Sequence, residues 1–232
     1  MNILALHTST HAIEESSSAA LTRAALTQLK QWVPTSQIRW IDASKLHIVQ
    51  NLSCYANGMS HCADPKSGPY RCWAHVSSLQ EPKKYGGVDQ MPVIYDGLDW
   101  ADVVLFSSST RWGTRSALCQ KIIERMNTLE NRAVAYGERY PMAGKKLGVV
   151  MTGVDWRTEH AARDLVDALR WWSFLTSEDY SCALWWQRSM DPYFEQPDNN
   201  KPYLERWTLT EQGKLAVEHF ARSVFVAQKR WV

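Results

Sequence analysis

The chain has 232 residues, with 26 lysines and arginines against 24 aspartates and glutamates, a formal charge of +2. Hydrophobic residues make up 45% and charged residues 22%, which excludes a disordered or low-complexity chain and allows a large core without disulfides or a structural metal. So mild a charge gives no electrostatic footprint for nucleic acid, and no apolar run reaches the roughly 18 residues of a membrane span.

Short apolar runs alternate with amphipathic stretches. Asn2–Leu6 (NILAL) predicts a first strand, with no basic, signal-like segment before it. Ser16–Trp32 predicts a helix stopped by Pro34. Ile38–Ile41 predicts a second strand, and Asn51–Met91 an irregular excursion with three cysteines, four glycines and three prolines. Val103–Phe106 is the third strand, followed by a helix over Ser116–Thr128. Leu147–Met151 is the fourth strand, Glu159–Phe174 a helix, Cys182–Trp186 the fifth strand and Thr210–Lys229 a terminal helix. Fully apolar strands between helices imply a parallel sheet covered on both faces. The expected fold is therefore α/β: a three-layer, doubly wound, five-stranded sheet of order 2-1-3-4-5. It forms one domain over residues 1–232, with the 51–91 insertion and a C-terminal helical extension.

The five cysteines sit at irregular spacings. Cys54, His61, Cys62, Cys72 and His75 could ligate a metal, but C-x7-C-x9-C contains no paired short spacing, so no metal is expected. Cys119 and Cys182 fall in a helix and a strand, where a thiol packs as a small apolar group. Free thiols place the chain in a reducing compartment, the cytoplasm. Most of the 12 tryptophans, including the pairs Trp171-Trp172 and Trp185-Trp186, are read as core or interface.

In an open α/β sheet the ligand lies beyond the carboxyl ends of the strands. After the first strand come His7-Thr8-Ser9-Thr10-His11 and then Ser16-Ser17-Ser18 at a helix start. Hydroxyls, open amides and the helix dipole suit a phosphate there, though a plain serine cap has the same appearance. His7 is either a cofactor contact or a satisfied buried histidine. After the third strand comes Ser107-Ser108-Ser109-Thr110-Arg111-Trp112-Gly113-Thr114, and after the fourth Thr152-Gly153-Val154-Asp155-Trp156. No G-x-G-x-x-G, P-loop or G-x-S-x-G is present.

Together these loops resemble the flavodoxin-like NADPH-dependent FMN reductase family, related to quinone reductases and iron–sulfur flavoproteins. The strongest piece is Trp112-Gly113-Thr114-Arg115-Ser116-Ala117 with Gln120 and Glu124-Arg125; Met91, Ile94-Tyr95, Leu98 and Ala101-Asp102 are similar to the run into the family's third strand. Ser109, Arg111, Gln120, Glu124 and Thr8 stand where the family usually has Pro, Tyr, Lys, Asp and Gly. The resemblance implies FMN, with NAD(P)H as co-substrate. Its phosphate would meet Ser9, His11, Ser16, Ser17 and Ser18; its ring would meet Ser109, Thr110, Arg111, Trp112 and Gly113, bordered by Thr152 and Gly153. It further implies reduction of a small-molecule acceptor such as a quinone or free flavin, and assembly as a homodimer or homotetramer. A one-electron carrier is the second reading, opposed by the positive charge and the long excursion; a non-catalytic interaction protein on the same scaffold is the third.

Overall fold

The structure is a computed structural model that describes residues 1–53, 72–154 and 156–226; for Arg132, Ala135 and Tyr136 it describes the backbone alone. Strands β1 (Asn2–His7), β2 (Gln37–Asp42), β3 (Val103–Arg111), β5 (Lys146–Gly153) and β6 (Ala183–Gln187) form a parallel sheet in the order β2-β1-β3-β5-β6. A two-residue strand β4 (Thr114–Arg115) folds back antiparallel on the end of β3. With that hairpin set aside, the order is the expected 2-1-3-4-5. Strand β1 lies between β2 and β3, pairing Ile3 with Ile38 and with Val103.

Helices α1 (Ser17–Trp32), α2 (Trp73–Gln80), α3 (Met91–Trp100), α4 (Ala117–Arg125), α5 (Asn127–Tyr136), α6 (Thr158–Arg170) and α7 (Glu211–Val226) complete the described elements. Helix α1 buries Ser18, Leu21, Thr22, Ala25, Leu26 and Leu29, a stripe of period near 3.6 laid on the sheet. The first halves of the inner strands, such as Ile3–Leu6 and Val103–Phe106, are apolar because both faces are covered, and each fully buried Leu or Phe contributes roughly 1.5–3 kcal/mol. Close approach sets two glycines. A Cβ on Gly97 of α3 would lie 2.5 Å from the Ile41 side chain. One on Gly148 of β5 would lie 2.8 Å from the Phe220 ring of α7.

Three elements differ from expectation. The expected helix Ser116–Thr128 is broken at Met126, because side chains from outside claim successive carbonyls. Asn51 Nδ2 donates to Glu124 O at 2.9 Å, Tyr95 Oη to Arg125 O at 2.6 Å and Trp172 Nε1 to Met126 O at 3.1 Å. Helix α3 stands where no element was expected, its buried Met91, Ile94, Tyr95 and Leu98 facing the sheet. The described part of the excursion holds α2, while Cys54, His61 and Cys62 lie outside the described residues.

That part of the excursion is held by one buried node. Arg125, 2% exposed, donates to both Asp89 oxygens at 2.9 and 2.7 Å, to Val49 O at 2.6 Å and to Cys72 Sγ at 2.9 Å. Burial opposes the guanidinium's charge, but the Asp89 carboxylate more than offsets it and the group stays protonated. His75 Nδ1 lies 3.0 Å from Asp89 O and 3.6 Å from its carboxylate. Cys72 and His75 thus serve this node. Cys119 and Cys182 are fully buried, as expected. Past β6 the chain packs Trp186, Phe194 and Trp207 as a ring cluster with centroids 4.6–5.5 Å apart, while Trp171 stays 73% exposed. Among the described residues no helix is long and apolar enough to cross a membrane.

Candidate functional site

Parallel pairing brings the carboxyl ends of four strands to one edge: His7 beside Ser107, Ser109 beside Thr152, and Gly153 beside Gln187. The polar tails of these strands are bound to one another. Thr8 N and Oγ1 donate to Ser107 O at 2.7 and 3.0 Å. Ser116, the N-cap of α4, donates to Thr8 O at 2.6 Å and accepts from Cys119 N at 3.1 Å and from Ser108 Oγ at 3.3 Å. Ser9 Oγ donates to Ser109 Oγ at 3.2 Å. A ladder of hydroxyls thus ties the loop after β1 to β3 and α4.

His7 is fully buried beneath that loop. Its Nε2 sits 2.9 Å from His11 O, a group that can only accept, so Nε2 carries the proton and Nδ1 faces Ser107 Oγ at 3.4 Å. Burial pushes the imidazole below its ordinary value. His7 is therefore the satisfied buried histidine, holding the loop's backbone. The far side of the loop is anchored where Ile13 N donates to Asp42 Oδ2 at 3.1 Å and Lys45 pairs with Glu14 at 2.8 Å.

At the start of α1, Ser16 makes no side-chain cap, which leaves the first-turn amides uncapped. Its hydroxyl bonds Ser18 Oγ at 2.9 Å, and Ser17 Oγ bonds Thr152 Oγ1 at 3.1 Å across the sheet edge.

Ser107–Arg111 was expected as a turn but continues β3, and Thr152-Gly153 ends β5 rather than following it. The true turn is Trp112-Gly113, with φ of 50° and 75°, joining β3 to β4. Two positive φ values make the tight hairpin turn that follows strand twist, and only the second falls on glycine. Trp112 therefore holds a left-handed conformation costly for a bulky side chain and projects it 93% exposed.

Opposite the hairpin, the backbone of Gly153 forms a cradle. A Cβ there would strike the Thr158 hydroxyl and lie 3.1 Å from Thr110 Cβ. The Thr110 and Thr158 hydroxyl oxygens are buried, and neither has a partner among the described residues. Beside them Arg157, also left-handed at φ 57°, lays its side chain under the turn. A Cβ on Gly113 would be 2.9 Å from Arg157 Cδ and 3.3 Å from the Trp156 ring.

Of the expected site residues, Ser9 with Ser109, Ser16 with Ser18, Ser17 with Thr152, and Thr110 with Gly153 are brought together. Trp112 and Gly113 stand at the hairpin tip. Arg111 is exposed with no ion pair among the described residues, and His11 engages through its backbone while its ring makes no hydrogen bond among them. Ser107, Ser108, Ser116, Trp156, Arg157 and Thr158 stand at the same edge without having been expected as contacts; for Ser116 and Thr158 a hydroxyl at a helix start following a strand was the available signal.

The sequence profile of the NADPH-dependent FMN reductase family matches residues 1–184. No curated protein matches the chain in sequence. Among solved structures, RosB with its bound intermediate 8-demethyl-8-formylriboflavin-5′-phosphate superposes with a TM-score of 0.63 at 14% identity, covering 97% of this chain and 79% of that one. An azoreductase from Bacillus anthracis str. Sterne gives 0.61 at 14% identity, covering 97% and 98%. The apo form of the NADH:FMN oxidoreductase EMOB gives 0.55 at 16%, covering 96% and 89%. At such identities the structures speak for the fold alone. The profile match runs from β1 into β6 and takes in the hydroxyl ladder, the Trp-Gly hairpin and the Gly153 cradle, and the chain belongs to the NADPH-dependent FMN reductase family.

Proposed function

We propose that the chain binds FMN across this strand edge and uses NADH or NADPH to reduce a small acceptor such as a quinone or free flavin. FMN, when bound, supplies the hydride chemistry; the protein binds, orients and shields it. The observation that carries the assignment is the Gly153 cradle. Gly153 admits the Thr158 and Thr110 side chains against its backbone, and their two buried hydroxyls, Thr110 Oγ1 and Thr158 Oγ1, lack partners among the described residues. Buried polar atoms are normally satisfied, so two orphans at this strand edge fit a ligand with polar edges. The uncapped start of α1, with Ser17 turned toward Thr152, fits a phosphate held by amides and hydroxyls rather than by a lysine. Ser9, His11, Ser16 and Ser18 would complete that end. Ser109, Thr110, Arg111, Trp112, Gly113, Thr152 and Gly153 would frame the ring, with Trp112 shielding one edge from water.

The test is the double variant Ser9→Asp/Ser17→Asp, which sets two carboxylates against a dianionic phosphate. The parent protein should be yellow and bleach with NADPH, and the variant should come out colourless yet folded. A variant with parental flavin content removes this loop from the site. A colourless parent that takes up no FMN sinks the assignment itself.

A further inference from the structure

The edge of the site carries three exposed side chains beyond the hydroxyl ladder. Trp112 is 93% exposed and Trp156 52% exposed, and Arg157 is exposed with no ion pair among the described residues. Trp156 and Arg157 pack together against the turn that carries Trp112. The Trp156 ring and the Arg157 stem meet beneath the Trp112-Gly113 turn, and the Arg157 guanidinium carbon lies 5.7 Å from the Trp156 ring centroid. Two of the three, Trp112 and Arg157, hold left-handed backbone at φ 50° and 57°. Such conformations persist where surrounding structure over-determines them, and here the two strained loops brace each other. Glu159, two residues along the chain, is already engaged, pairing with Arg163 at 2.5 Å. Asp155 lies outside the described residues.

We infer that Trp112, Trp156 and Arg157 form a clasp that selects planar aromatic acceptors bearing an anionic substituent. The indoles give stacking area of low conformational cost, and the free guanidinium gives a fixed charge at the ring's margin. The clasp rests on the flavin reading for its role in turnover, but its preference for a planar anion is a property of these three residues alone. A carboxylate or sulfonate on the acceptor and the phosphate of the nicotinamide donor share the chemistry; the clasp is assigned to the acceptor because it lies at the open tip of the hairpin rather than at the hydroxyl-lined start of α1.

Calorimetric titration separates these possibilities. The probes are anthraquinone-2-sulfonate and its neutral 2-hydroxymethyl analogue, with the protein loaded with FMN and again without it. The sulfonate should bind about ten-fold tighter at low ionic strength, and the advantage should shrink as salt is added. Arg157→Met keeps the stem under Gly113 and removes the charge, so it should abolish the advantage while moving the neutral probe less than two-fold. Arg157→Lys should retain part of it, and Trp156→Ala should weaken both probes alike. Equal binding of the two probes to the parent overturns the inference. So does an Arg157→Met variant whose sulfonate preference is intact while its KM for NADPH rises relative to NADH, which would give the guanidinium to the donor. Failure of FMN to bind, with the sulfonate preference preserved, would sink the flavin assignment and leave the clasp standing.

Discussion

Arg125 and Arg157 carry the same guanidinium and are handled in opposite ways. Arg125 is sealed inside, its charge met in bidentate fashion by Asp89, with further donors spent on Val49 and Cys72 and Nε left without a partner among the described residues. Arg157 lies at the surface over an indole, with no carboxylate among the described residues. The difference follows from solvation. A buried charge must be paired or it is lost to its own desolvation, so Arg125 is committed to one geometry and holds the excursion with it. A solvated charge costs little to leave single, so Arg157 keeps its capacity for a ligand.

The largest loss is expected at the buried node. Arg125→Ala should cost about 3–5 kcal/mol in denaturant unfolding, because Asp89 is left ionised in the interior. The double variant Arg125→Ala/Asp89→Ala should cost less than the sum of the two single changes. A loss under about 1 kcal/mol for Arg125→Ala would mean that the pair does not hold residues 72–91 in place.

His7 sharpens the contrast from a third side, as a buried titratable group near the mouth that stays neutral instead of pairing. Asp42, Glu14 and His11 face it, yet burial outweighs the two carboxylates and lowers its affinity for a proton. The unfolded chain then binds a proton that the native state refuses. Stability is whole above the ordinary histidine value of about 6.5 and falls as pH drops below it toward the depressed native value. The drop in Tm between pH 7.5 and 5.5 should be smaller in His7→Gln than in the parent. An equal drop in both would show that the imidazole does not drive the acid loss. The smallest effect belongs to the exposed arginine of the hairpin. Arg111→Ala should leave unfolding within about 0.5 kcal/mol of the parent, and a larger loss would show a structural partner for it.

Strands of unbroken apolar residues, such as Ile3–Leu6 and Val103–Phe106, could be read directly, because a parallel strand buried on both faces has no polar option. The end of β3 could not. Ser107–Arg111 are polar and read as a turn, yet they remain extended because their hydroxyls and backbone bond across to Thr8, Ser9 and Ser116. Helix α3 hid behind Pro92, which fits a first turn, and Gly97, which is required by the contact with Ile41. The break at Met126 depends on Asn51, Tyr95 and Trp172, residues between 30 and 73 positions away along the chain, so no local window contains it. Serines at helix starts pointed to the edge of the sheet where the hydroxyl ladder gathers. The Arg157–Gly113 contact joins loops more than forty residues apart and left no local trace.

Strand β1 lies inside the sheet, but its partner β3 is encoded 100 residues later, as the pairing of Ile3 with Val103 shows. At roughly 5–20 residues per second, a ribosome needs about 5–20 seconds to supply that second neighbour. For that interval an apolar strand waits with one edge open to other chains, the situation in which sheets aggregate. The hydroxyl ladder and the seat of His7 depend on the same late pairing, since both reach across to Ser107. The loop after β1 is thus completed late in the life of each nascent chain, and a polypeptide interrupted before residue 103 would leave β1 with one edge exposed and no means of closing the sheet.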